Sequence, residues 1–81
     1  MRIPRDIDGK SLANLLTRYG YEMTRQTGSH IRLTSTVCGK EHHVTNPDHK
    51  PLRIGTLSAI LGDVANYLSM NKDEFIREIF S

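Results

Sequence analysis

Leu12, Leu15, Leu16 and Tyr19 stand at i, i+3, i+4 and i+7 in "DGKSLANLLTRYG", one apolar stripe of the kind that buries a single face of a helix. Asp8 or Ser11 serves as its cap, and Gly20, just past the last periodic residue, offers a left-handed position where the helix should end. The period then drops to two. "YEMTRQT", "HIRLTST" and "EHHVTN" are rich in Thr, Ile, Val and Tyr, and Gly28-Ser29 and Val37-Cys38-Gly39-Lys40 separate them, which predicts an antiparallel meander. Pairing Thr36 with Glu41 sets Leu33 opposite Val44 and Arg32 opposite Thr45. Ile31, Leu33 and Val44 then face the core. Alternation sends His30, Arg32, Thr34, His43 and Thr45 to the other face, joined by Glu22, Thr24 and Gln26 of the first strand.

"NPDHKPLRI" holds two prolines and no period, so it reads as a loop into the next helix, which starts near Gly55. There Leu57, Ile60, Leu61, Val64, Ala65 and Leu68 form the clearest helical stripe in the chain. A short terminal helix follows, with Asn71 as N-cap, Glu74 three residues on, and Phe75, Ile76, Ile79 and Phe80 as its apolar side. Helices set apart from a consecutive meander give an α+β fold, an α-β-β-β-α sandwich with one covered and one open sheet face plus an extra C-terminal helix. The double-stranded-RNA-binding fold has this order. Residues 1–81 are read as a single domain, with 1–68 as its core and 69–81 as a helical extension.

Length limits what such a domain can do: 81 residues bury one modest core, which places function on the surface or in a shallow groove. The 37% hydrophobic and 25% charged composition is that of an ordinary globular domain, and no stretch approaches a membrane span. The charged start "MRIPRDIDGK" lacks the apolar region of a signal peptide, and the lone Cys38 has no partner for a disulfide, so the expectation is a cytoplasmic protein. The net charge of +2 is small but uneven. Residues 1–54 carry nine Lys and Arg against five Asp and Glu, whereas residues 55–81 carry two against four. The first part suits phosphates, the second solvent or a protein partner.

Four histidines raise the question of metal. His42 and His43 are adjacent on a strand and point to opposite faces, and a site built from His30, His43 and His49 has no clear carboxylate or thiolate to complete it. No metal and no cofactor are expected. His30 has a bland reading as a strand-edge histidine donating to a carbonyl, and a chemical one. Gly28 allows a sharp turn, Ser29 offers a hydroxyl and an amide, and His30 projects beside Arg32, parts that suit a phosphate. A free imidazole titrates near 6.5, so near neutrality it both donates and accepts protons. Ser29 points away from His30 and no aspartate orients the ring, which argues against a Ser-His-Asp hydrolase. RNA supplies its own nucleophile, the 2′-OH, and needs only a base and cations to steady the phosphorane. Arg25, Arg32, Lys50 and Arg53 are the candidate cations, each of them equally readable as a solvated surface charge.

"YGYEMTRQTGSHIRL" followed by "HHVTNPDHKPLRIGTLSAIL" resembles the HicA-type mRNA interferase toxins, the YcfA-like family, over nearly the whole chain. The likeness rests on the leading helix ending in "YGY", the Gly28-Ser29-His30 triplet entering the second strand, and "NPDHKPLRIGTL" with Pro47 and His49. It implies a double-stranded-RNA-binding-like fold, ribonuclease activity against mRNA and neutralisation by a HicB-like antitoxin. It also implies that His30 is the catalytic histidine, with Gly28, Ser29, Arg32, His49, Lys50 and Arg53 around the substrate. Members are often shorter, so "NKDEFIREIF" reads as an appended helix, and "GDVANYLSM" lacks the glycine often found near the end of the main helix. A homodimer is left open. The competing readings are a non-catalytic RNA-binding module and a domain for protein contacts alone.

Overall fold

The computed structural model describes residues 3–81. Helix α1 (Gly9–Thr17) takes Asp8 as its cap, the carboxylate accepting the Ser11 amide at 2.8 Å. It stops earlier than the stripe suggests. The Tyr19 and Gly20 amides fold back on the Leu16 and Thr17 carbonyls at 3.0 and 3.3 Å, a tightened last turn, and Gly20 enters the left-handed region at φ +90° to release the chain into the sheet.

The sheet is antiparallel in the order β1 (Tyr21–Thr27), β2 (His30–Ser35), β3 (His42–Pro47). Leu33 lies opposite Val44 and Arg32 opposite Thr45, the register predicted from the pattern. The first hairpin closes on Gly28 and Ser29 between the paired Thr27 and His30, with positive φ at Gly28 but not at Ser29, as a type II′ turn requires. One expectation fails in β1. Pairing jumps from Met23 with Leu33 to Arg25 with Arg32, so Thr24 is an extra residue in a β-bulge. Beyond it the alternation is inverted: Gln26 lies opposite the buried Ile31, off the polar face assigned to it, and Arg25 takes a place on that face.

Helix α2 (Ile54–Tyr67) and helix α3 (Lys72–Ile79) complete the order α-β-β-β-α with an added helix, the α+β layout of double-stranded-RNA-binding domains. The end of α2 explains the missing glycine. Ser69 itself adopts φ +58°, its amide bonding to Asn66 O at 3.2 Å and that of Met70 to Ala65 O at 2.9 Å, a Schellman closure with serine in the glycine position. Asn71 then caps α3, accepting the Asp73 and Glu74 amides at 2.9 and 3.2 Å.

All helices lie on one side of the sheet, α1 across the three strands, α2 against β3 and α3 against α2. Leu12 and Leu16, Ile31 and Leu33, and Leu57 and Leu61 are fully buried between the layers. Phe75, Ile76 and Ile79 of α3 join the same cluster, and the Tyr19 ring stands edge-on to Phe75 at 5.0 Å. The opposite face of the sheet is uncovered.

Candidate functional site

At the hairpin end of the sheet the chain from β3 to α2 is held on two sides. The Asp48 amide donates to Ser29 O at 2.6 Å, and His49 O accepts the amide of Gly9 at 3.0 Å. Between them, buried Asn46 donates from Nδ2 to Gly9 O at 2.6 Å. Glycine is required here because a Cβ on residue 9 would stand 2.0 Å from the Pro47 carbonyl oxygen. The result is that the Gly28-Ser29-His30 triplet, the Asp48–Lys50 loop and the start of α1 share one end of the molecule. Lys50 and Lys10 act there together: the Asp8 carboxyl is held below its ordinary range, first by its hydrogen bonds to Ser11 and then by these two charges.

The structure sorts the four histidines by what their rings hold. His42 is part-buried, with Nε2 at 3.3 Å from Asp63 Oδ2 and Nδ1 at 2.6 Å from Tyr21 Oη. A carboxylate only accepts, so the Nε2 proton faces Asp63, while Nδ1 and the Tyr21 hydroxyl share one hydrogen bond. The ring also stacks on Tyr67 at 4.6 Å and 11°. His43 is tied on the open face: Nε2 donates to Glu41 at 2.8 Å, Nδ1 accepts from Thr34 at 2.9 Å, and Thr24 stands 3.0 Å behind Thr34. Both of these rings are committed to protein partners. His30 and His49 are exposed, and among the described residues neither ring makes a hydrogen bond or an ion pair.

His30 is the first residue of β2, opposite Thr27 and Pro47, with its side chain on the open face. Arg32 is two residues along the same face, directly opposite Arg25. Sequence alternation had turned Arg25 away from Arg32; the bulge brings it back, and no glycine or proline in "YEMTRQT" signals the irregularity. The far end of the face is acidic, with Glu22 opposite Thr34 and Glu41 on His43. Arg53 is exposed at the N-terminus of α2, beyond the buried Leu52 whose amide is fixed to Ile7 O at 2.8 Å, and among the described residues nothing bonds it to His30.

Among the described residues no three His, Cys, Asp or Glu side chains come together as a metal-binding group, and no helix is long and apolar enough to cross a membrane. What the hairpin end offers instead is a free imidazole beside unpaired cations, a set able to move a proton next to a phosphodiester.

Compared with protein-family models, the chain matches the family described as HicA toxin of bacterial toxin-antitoxin over residues 9–65. That span opens on the first residue of α1, takes in all three strands and ends within α2, leaving α3 outside it. No curated protein and no solved structure matches the chain.

Proposed function

The chain belongs to the HicA toxin family of bacterial toxin–antitoxin systems, and from that membership we propose that it is a metal-independent endoribonuclease acting on mRNA through His30. Family membership gives it an antitoxin partner; the proposal makes that partner a HicB-like protein that covers the hairpin end. The observation that carries the reading is the exposed, uncommitted ring of His30 on a pinned hairpin, in a chain whose other strand histidines both meet protein partners at each nitrogen, by hydrogen bond or ion pair.

In the proposed reaction His30 takes the proton of a ribose 2′-OH. The 2′-oxygen bonds to the adjacent phosphorus, the P–O5′ bond breaks, and a proton passes to the departing 5′-oxygen. In this reading His49, on the loop tied to Ser29, supports the substrate as the second exposed imidazole of this end. The Gly28 and Ser29 turn lets the backbone approach a phosphate closely, while Arg32, Lys50 and Arg53 hold the flanking charge. Single-stranded RNA is the expected form, and with three Tyr and two Phe in the chain, base stacking contributes little selectivity.

The test is a gel assay of purified protein with mixed-sequence RNA in excess EDTA, wild type beside His30→Ala, with circular dichroism and melting of both. Cleavage by the wild type alone, with both folded alike, is expected. Cleavage by both removes His30 from the chemistry, and cleavage by neither favours a module that binds RNA without cutting it. For the antitoxin, amide protection of Gly28–Arg32 on complex formation is expected, and unchanged exchange there puts the contact elsewhere.

A further inference from the structure

Arg25 and Arg32 stand directly opposite one another on the exposed face of the sheet, and among the described residues neither guanidinium pairs with a carboxylate. They are directly paired residues of neighbouring antiparallel strands, a position where Cβ atoms lie about 5 Å apart and like charges repel. Both residues are exposed. The juxtaposition depends on the Thr24 bulge: in a regular strand Gln26 would occupy this face and Arg25 would point away. Bulges re-aim side chains, and here Thr24 is itself held in place by Thr34 Oγ1 at 3.0 Å and the Arg32 carbonyl at 3.4 Å.

We propose that Arg25 and Arg32 form a two-strand clamp for one backbone phosphate of single-stranded RNA, so that the strand enters over the β1 edge, crosses β2 at Arg32 and reaches His30 at the hairpin end. This rests on the ribonuclease reading for its ligand and adds to it a residue, Arg25, and a direction. A phosphate between the two planar forks turns their repulsion into two charge-assisted contacts. The acidic Glu22 and Glu41 at the far end of the same face keep the path at the cationic end. Arg25 is a positioning residue, since it lies on the strand beyond Thr27, the partner of His30.

The experiment measures binding of a labelled mixed-sequence 2′-O-methyl RNA, which lacks the nucleophile, to wild type, Arg25→Ala, Arg25→Lys and Arg77→Ala across a salt series. Arg77 is an exposed cation on α3 and serves as the control. Arg25→Ala is expected to bind about tenfold more weakly at low salt, the worth of one charge-assisted contact, with the slope of log K on log salt shallower by about 0.7. Arg25→Lys should restore most of the slope, Arg77→Ala should match wild type, and the melting temperature of Arg25→Ala should equal or exceed that of wild type. Unchanged affinity and slope in Arg25→Ala, or an equal loss in Arg77→Ala, overturns the clamp. Wild type that cleaves RNA while Arg25→Ala binds normally overturns the clamp alone, and wild type without RNA affinity overturns both readings.

Discussion

Replacing Gly9 with alanine sets two physical rules against each other. Alanine is a better helix former than glycine by about 1 kcal/mol in a helix interior, and residue 9 opens α1, so propensity alone predicts a small gain. Packing predicts the reverse. The new Cβ would lie 2.0 Å from Pro47 O and 2.9 Å from Asp48 Cα, both backbone atoms that no side-chain rotation can move aside. Overpacking of this kind costs about 1–3 kcal/mol. Relieving it pulls α1 from the loop and stretches the 2.6 Å bond from the fully buried Asn46 to Gly9 O, whose loss adds about 1–3 kcal/mol. Set against the propensity gain, the net loss is about 3 kcal/mol from a total of roughly 4–12 kcal/mol expected for a domain of this size. At 4–8 °C per kcal/mol the melting temperature should fall by roughly 12–24 °C. Thermal unfolding by circular dichroism reads this directly, and hydrogen exchange should show the Asp48 amide, bonded to Ser29 O, losing protection before the strand centres. A Gly9→Ala protein that melts at or above the wild-type temperature would refute the claim that close backbone approach, not helix propensity, governs this position.

Ser69→Gly relieves a left-handed residue at the end of α2 and is expected to stabilise by about 1 kcal/mol, read as a rise in denaturant midpoint with an unchanged m-value. Asn71→Ala removes the acceptor for two amides at the start of α3 and should cost about 1 kcal/mol by the same assay. Tyr67→Phe loses the hydroxyl that takes the Cys38 amide at 3.1 Å and donates toward Lys40 O, so amide exchange in 36–41 should accelerate with little change elsewhere. Burial first, then nearby Tyr67 and Asp63, raise the Tyr21 phenol well above its ordinary range, so the folded state keeps this proton where the unfolded chain releases it. Stability from this group is therefore complete below about pH 10 and falls above it, by at most about 1.4 kcal/mol per pH unit. Tyr21→Phe should flatten that alkaline decline, and an equally steep decline in the variant would assign it to other groups.

The covered half of the molecule was legible because its determinants are periodic. The stripe from Leu57 to Val64 faces the core as spacing demanded, and Leu33 meets Val44 in a register fixed by the two flanking turns. The open half was legible only up to the bulge. Nothing local marks Thr24 as an extra residue; its hydroxyl finds Thr34 across the sheet, and that cross-strand bond exists only once the strands have paired. The same holds for the loop. "NPDHKP" announces a turn, but the Asp48 bond to Ser29 and the Asn46 bond to Gly9 join residues far apart in the chain, and these bring His49 and Lys50 to the end that carries His30. Alternation sends His42 and His43 to opposite faces, but the partner of His42, Asp63, lies on a helix whose placement the strand pattern does not specify.

Among the described residues, Ser69, Asn46 and the Arg25–Arg32 pair each depart from a local rule, and their positions separate function from construction. Ser69 holds a left-handed conformation at the α2 to α3 junction, with both neighbouring amides bonded and α3 packed behind it, so its strain serves chain reversal. Asn46 leaves Oδ1 without a partner while fully buried, but its Nδ2 is what fastens β3 to α1, and an unpartnered acceptor is a tolerable cost where the amide donor fixes two elements. The opposed Arg25 and Arg32 do neither: they hold no element in place, and their repulsion works against the sheet that carries them. A violation that contributes nothing to the fold, lies on the exposed face and sits beside an uncommitted histidine is the one that needs an outside ligand to account for it. Relieving each in turn should therefore divide them. Ser69→Gly should change melting and leave RNA affinity intact, whereas Arg25→Ala should change RNA affinity and leave melting intact or raised.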